Sequence, residues 1–412
     1  MMNYPIQPTS RKFALDHPFF TAIVLSLGPA IALGISRFSY GLLMLPMRTD
    51  LGWSYLLAGT MNTANAFGYF LGALATSMLM PRWGARRQLT GGALFIGIFT
   101  LLSGFVTNAS VMLFLRMLVG MASAFVFIAG GVLTAQLGVL RGKQMGLLLG
   151  LYYGGSGLGI MLLALLTPLV IAAAQSHASA HDWQWAWRVF GTICLLAAPI
   201  MGITARSIPE PSPHNREHAA VRTRSLAFGL LSYFMFGMGY IGYMTFVVAL
   251  LKQQGIHDVT ITLFYSLLGL AVIGSGKLWA HMLDRFKGGE SMAILNGVLA
   301  VATLLPVLGV QLPLIFVSGI LFGAVFMSVV TSTTALVRHN LPPTAWSSAI
   351  SMFTTVFALG QIVGPTIVGW IADSTGGLKQ GLVFSALTLL VAALLALGQR
   401  TPTSVNSSAL LK

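Results

Sequence analysis

Apolar runs of about 20 residues recur from one end of this 412-residue chain to the other, and a run of that length has few structural solutions. It spans a ~30 Å hydrocarbon core as a helix, because where no water reaches the backbone every N–H and C=O must be satisfied within the segment itself. Twelve such runs stand near residues 19–45, 54–80, 89–106, 111–140, 145–170, 187–205, 226–251, 260–283, 292–310, 313–337, 346–372 and 382–397. The sequence therefore predicts an all-α membrane protein with twelve transmembrane helices. Composition agrees: only 8% of residues are charged and mean hydropathy is +0.83, against roughly 25% charged in a soluble domain.

The net charge of +14 raises nucleic acid as a partner, and the placement of the charges excludes it. With the N-terminus inside, four of the 23 Lys and Arg residues (Arg48, Arg188, Lys252 and Lys379) fall in loops on the outer face, and three (Arg37, Arg116 and Lys277) fall within spans. The rest lie on the inner side, as the positive-inside rule requires. The predicted partners are the lipid bilayer and a small molecule; the expected location is a bacterial cytoplasmic (inner) membrane, multi-pass, with both termini cytoplasmic. A monomer is expected. The single Cys194 permits no intramolecular disulfide, and the long first apolar run reads as a retained helix rather than a signal peptide. Trp183, Trp185 and Trp187 read as an interfacial aromatic cluster.

Residues 206–224, with Pro209, Pro211 and Pro213, read as an extended linker. They divide a lead (1–18) and a first six-helix bundle (19–205) from a second bundle (225–400) and a tail (401–412). Landmarks repeat between the halves: Arg82 with Arg285 and Gly120 with Gly323 at an offset of 203, Gly34 with Gly239 and Gly159 with Gly364 at 205. Six helices per unit leave both halves with the same orientation, a parallel pseudo-repeat that sets a substrate site at the midplane between them. Gly146, Gly150 and Gly154 in helix five and Gly360, Gly364 and Pro365 in helix eleven read as close-packing positions. The Gly28-Pro29 pair predicts a kink in helix one.

Several segments resemble a known family. Pro81-Arg82-Trp83-Gly84-Ala85-Arg86-Arg87 and the stretch from Asp284-Arg285 are similar to the loop signature of the Major Facilitator Superfamily, and Arg116-Met-Leu-Val-Gly120 to its helix-four pattern. GISRFSYG (34–41) and MNTANAFGYFLGA (61–73) resemble its YbfB/YjiJ-like branch. The resemblance implies a secondary transporter with helices one, four, seven and ten on a central cavity. Arg82, Gly84, Arg86, Arg87, Asp284 and Arg285 would then act as cytoplasmic gating loops. Pro81 stands where the signature usually carries Asp. Gly159-Ile160 stands where antiporters of the superfamily often carry Gly-Pro, so antiport is not implied.

Within the spans the chemistry concentrates on two cations. Arg37 and Arg116 each sit roughly 12–14 Å in from the same face at ~1.5 Å rise per residue, too deep for easy snorkelling. An intramembrane arginine marks a functional site or is satisfied by backbone carbonyls and packing. All nine acidic residues fall in loops or at helix ends, so a pair of unneutralised guanidinium groups favours an anionic ligand. Asn62, Asn65 and Tyr69 share a face of helix two, as do Arg37 and Tyr40 in helix one; Tyr233, Tyr240 and Tyr243 of helix seven add hydroxyls and ring faces. The alternative for these polar groups is interhelical hydrogen bonding. No phosphate loop, zinc-ligand spacing or nucleotide-binding domain is present, so neither an enzyme nor an ATP-driven pump is expected, and no cofactor or metal. The expectation is alternating-access transport of a small organic anion. An exporter of neutral or amphipathic compounds and a non-transporting membrane sensor are the alternatives.

Overall fold

The computed structural model describes residues 16–141, 145–210 and 223–400; most of the lead, the linker from 211 to 222 and the tail lie outside them. The first helix, α1, runs over Pro18–Leu51. A single 49-residue helix, Tyr55–Ser103, follows and is broken only at Gly84, whose φ of 74° and ψ of 162° lie outside the helical region. It therefore supplies two arms, α2 (55–83) and α3 (85–103). The others are α4 (Ala109–Arg141), α5 (Met145–Ser176), α6 (Asp182–Arg206), α7 (Ala227–Gln253), α8 (Asp258–Arg285), α9 (Glu290–Leu308), α10 (Leu312–Asn340), α11 (Pro343–Ala372) and α12 (Gly377–Leu397). Among the described residues this gives twelve helical segments, ten of them separate helices long and apolar enough to cross a membrane. Leu169, Ile203, Val259 and Trp370 are exposed on the outer surface, as lipid-facing residues must be.

Close glycine contacts set the packing. A Cβ at Gly68, Gly72 or Gly120 would collide with the carbonyl oxygen of Met117, Met121 or Asn65, so α2 and α4 touch backbone to backbone. The Arg-x-x-x-Gly pattern thereby acquires a physical reason: Gly120 seats α4 on Asn65 and so carries Arg116 to the polar face of α2. On α5, Gly155 and Gly159 close on Ser26, Ala30 and Gly34 of α1, while Gly157 meets Gly269 of α8. Gly360 and Gly364 lie against the Phe234 and Met238 carbonyls of α7, and Gly59 of α2 against that of Pro365.

The expectation for Gly146, Gly150 and Gly154 is corrected. A Cβ at Gly146 or Gly150 would meet nothing within 4 Å, and one at Gly154 would reach only Ile273 at 3.9 Å. The packing stripe of α5 lies further along, from Gly155, because α5 and α8 part toward the end of the molecule that carries residues 82–87 and 284–287, called here the basic end. Toward the opposite, far end the two halves are joined. The Asp373 carboxylate at the end of α11 accepts from the backbone N–H of Tyr55 (2.7 Å) and Leu56 (2.8 Å) at the start of α2. Two turns inward the Thr63 and Thr366 hydroxyls lie 2.8 Å apart. The seam is thus joined through α2 and α11 at the far end, where a cavity of about 410 Å³ lies between α1, α5 and α6 on one side and α7 and α8 on the other, and α5 and α8 part at the basic end.

Two further expectations change. Residues 81–87 form no loop: α2 continues to Gly84 and α3 restarts at once, its first N–H groups capped by Glu210, which accepts from Ala85 and Arg86 at 3.0 Å each. The interfacial tryptophans divide: Trp183 and Trp187 are buried, and only Trp185 lies at the surface edge, stacked on His177. Trp183 donates to Asp50 at 2.6 Å.

A candidate substrate site between the two halves

The site begins with a defect in α1. After Pro29, which has no N–H to give and clashes with the preceding turn, the ladder widens to a nine-residue π-helix over Ala30–Phe38. Long π stretches are rare and gather at functional sites. Arg37 and Tyr40, expected on one face, take different partners. The Arg37 guanidinium crosses the seam, where Nη2 donates to Oε1 of Gln361 in α11 at 2.7 Å, with the Tyr69 ring centroid 5.9 Å away. Tyr40 instead donates to the Ala58 carbonyl at 2.8 Å, and its ring lies 5.3 Å from Arg116.

Arg116 belongs to the first half. Its Nη1 donates to the Ser36 carbonyl at 2.7 Å and its Nη2 to Asn62 Oδ1 at 3.5 Å. The Trp187 ring, 5.2 Å away, covers it from the side. Since the carbonyl it grips precedes Arg37 in the chain, the two arginines converge on one turn of α1. Asn65 donates to the Arg116 carbonyl at 3.1 Å, tying α2 to α4. Asn62 donates to Thr245 of α7 at 2.7 Å, so a second polar chain crosses the seam.

Arg37 is 3% exposed and Arg116 1%. Neither is within ion-pair distance of a carboxylate among the described residues; the ion pairs there are Arg86–Glu210, His181–Asp50 and Lys252–Asp258, all near helix ends. The Nε–H of each buried arginine finds no acceptor. Two positive charges with spare donors in a low-dielectric interior are costly unless an anion completes them.

On the facing side, Gln361 donates through Nε2 to the Tyr240 hydroxyl at 2.7 Å, and the Tyr240 ring stacks on Phe236, Phe326 and Phe357. Tyr233 extends that stack through Phe357, centroids 4.7 Å apart. Tyr243 does not join the site: its hydroxyl lies 2.7 Å from Ser318 of α10 and its ring stacks on Phe322, inside the second half. The structure thus brings together Arg37, Tyr40, Asn62, Asn65, Tyr69, Arg116 and Tyr240, puts Tyr233 at the edge and leaves Tyr243 outside.

Sequence reasoning missed Gln361, Thr245, Ser36 and Trp187. Gln361 had a signal, an amide in the middle of an apolar span and next to a packing glycine. Trp187 had none, being one of three tryptophans at a span edge. Of the expected gating residues, Gly84 makes the break between α2 and α3, and Arg86 donates to the Ile208 carbonyl (3.0 and 2.5 Å) beside Glu210. Arg82, Arg87, Asp284 and Arg285 are exposed at the basic end, where Arg285 lies 5.8 Å over the Phe286 ring.

The all-helical membrane fold, together with a family match over most of the chain, makes this a transporter of the Major Facilitator Superfamily, and not an enzyme. The chain belongs to the family described as uncharacterised MFS-type transporter YbfB, whose model matches residues 29–397. It is 25% identical over 406 residues to a putative tartrate transporter of Agrobacterium vitis, covering 88% of this chain and 86% of that one. It is likewise 25% identical over 378 residues to a chloramphenicol resistance protein of Streptomyces lividans, covering 88% and 92%. Among solved structures, a bacterial homologue of the human lysosomal transporter Spinster superposes with a TM-score of 0.72 at 16% identity, over 96% of this chain and 98% of that one.

Proposed function

We propose that the protein carries a small organic anion by alternating access, with Arg37 and Arg116 as its anion-binding groups. The observation that carries the reading is the burial of both guanidinium groups without a carboxylate, each with an unpartnered Nε–H. A carboxylate between them would accept those donors, bidentate if it meets the fork of one arginine. Asn62, Asn65, Tyr40 and Tyr69 would flank the bound anion on one side, and Tyr240 with its aromatic stack on the other. The relative named for tartrate is consistent with such a substrate. By the positive-inside rule the basic end faces the cytoplasm of a bacterial inner membrane, so the arrangement described corresponds to a carrier shut toward the outside. The residues at 82–87 and 284–285 would engage on the opposite stroke, when the basic end closes.

Counterflow in proteoliposomes, with labelled tartrate, succinate and benzoate as probes, tests the reading. Removing one charged hydrogen-bonding partner of an anion costs about 1.5–3 kcal/mol, so Arg37→Gln and Arg116→Gln each lower exchange by about 10- to 100-fold. A second reading rests on the Tyr233–Phe236–Tyr240–Phe357 stack and on the relative named for chloramphenicol resistance: export of a neutral aromatic compound. Anion exchange that survives both Arg→Gln changes excludes the first reading and leaves the second.

A further inference from the structure

We infer that Gln361 is a built-in surrogate for the substrate's carboxylate: in the empty carrier its amide oxygen occupies the place on Arg37 that the substrate's oxygen takes when it binds. The inference rests on the anion reading of Arg37 and adds a positioning residue to it.

The amide is oriented on both sides. Its Nε2–H₂ faces the Tyr240 hydroxyl, which can accept, while Oε1 faces the guanidinium, which can only donate. The reverse orientation would set two donors against each other at 2.7 Å. Tyr240 is in turn held by three aromatic rings, and Gly360 and Gly364 hold α11 against α7. The acceptor on Arg37 is therefore presented by the second half as a rigid unit. Gln361 occupies Nη2 while Nε–H is unpartnered, so an anion that takes more than the free Nε–H of this buried guanidinium displaces that acceptor.

The exchange is selective by charge. A carboxylate brings a full opposite charge to the guanidinium where the amide brings only a dipole, so an anion wins the site from the amide, whereas a neutral polar molecule does not. Displacement has a mechanical result as well. Arg37–Gln361 crosses the seam beside Asn62–Thr245 and the bond from the Thr63 hydroxyl to the Ile362 carbonyl (2.8 Å), so an anion on Arg37 frees α11 from α1 and leaves α2 as its tie at this depth. Binding thereby loosens the contact that has to break before the far end can open. The surrogate keeps the empty protein shut without leaving a buried cation bare.

The test compares the full-length wild type with Gln361→Ala, Gln361→Glu and Arg37→Gln in nanodiscs. Binding of tartrate, succinate, benzoate and inorganic phosphate is measured by calorimetry, and folding is verified by size-exclusion profile and melting temperature. Removing the internal competitor, Gln361→Ala tightens the bound anion by about tenfold, the worth of one hydrogen bond to a charged group. Gln361→Glu supplies a competitor of full charge that pairs with Arg37, so anion binding is lost near neutral pH, where Gln361→Ala gains it. A purely structural glutamine would not move the two variants in opposite directions. Weaker or unchanged affinity in a folded Gln361→Ala overturns the inference, since Gln361 would then be a direct substrate contact or inert. Binding that persists in Arg37→Gln, or absence of binding by every probe in the wild type, overturns the anion reading itself and the inference with it.

Discussion

Asp373 holds the far end of the seam, and its removal has a calculable result. The carboxylate accepts two backbone N–H groups of the other half at 2.7 and 2.8 Å, at the N-terminus of α2 where those donors have no intrahelical partner. Each bond is charge-assisted, yet the carboxylate is exposed, and water can replace it on the freed N–H groups, so about 0.5–1 kcal/mol apiece is the appropriate scale. Interaction with the positive end of α2 adds about 0.3–1 kcal/mol. Asp373→Ala then removes about 1.3–3 kcal/mol of closure, and at 1.4 kcal/mol per decade the ratio of far-end-open to far-end-shut molecules rises by roughly 10- to 150-fold. The assay is a double electron–electron resonance distance between spin labels at Thr107 and Gln380, exposed far-end positions on the two halves, in a Cys194→Ser background that leaves no other thiol. A longer-distance population grows in Asp373→Ala and to a smaller extent in Asp373→Asn. An unchanged distance distribution refutes the view that this contact governs the seam.

Two further outcomes follow from packing and capping. Gly159→Leu lowers the melting temperature, by about 1–3 kcal/mol of overpacking, because its Cβ collides with Ala30 and Gly34; Gly150→Ala, in open space on the same helix, leaves the melting temperature level or raises it by an amount equivalent to about 0.5–1 kcal/mol. Glu210→Ala uncaps α3 and costs about 0.5–2 kcal/mol in a thermal melt, while transport-site binding by calorimetry stays at the wild-type value.

Spans, halves and the two buried arginines were legible because each depends on a local count: apolar length, loop charge, or the presence of a cation in a hydrocarbon segment. Gly360 and Gly364 were legible for the same reason, as small residues four apart. What failed depended on register or on pairing between distant segments. The partners of Arg37 and Tyr40, one across the seam and one within the first half, depend on which helices pack there, which spacing alone does not encode. Gly146 and Gly150 have the composition of a contact stripe but lie where α5 and α8 diverge, and divergence is a property of the whole assembly. Trp187 was assigned to the interface by its position at a span edge; it turns inward because α6 packs its first turns against the arginine of α4. Glu210 lay in a polar stretch whose docking on α3 no local pattern encodes.

The widened turn of α1 has a consequence of its own. A π ladder holds more residues per turn than an α ladder, so the nine residues from Ala30 to Phe38 contain slack that an α-helix lacks. Rewinding one residue of that slack rotates everything beyond it by about 100° while the helix stays intact at both ends. Arg37 stands near the end of that stretch, so a small change in winding swings its head group around the axis. The first helix can then serve as a swivel for the charge it carries, turning it from one face of the seam to another without withdrawing it from the protein interior.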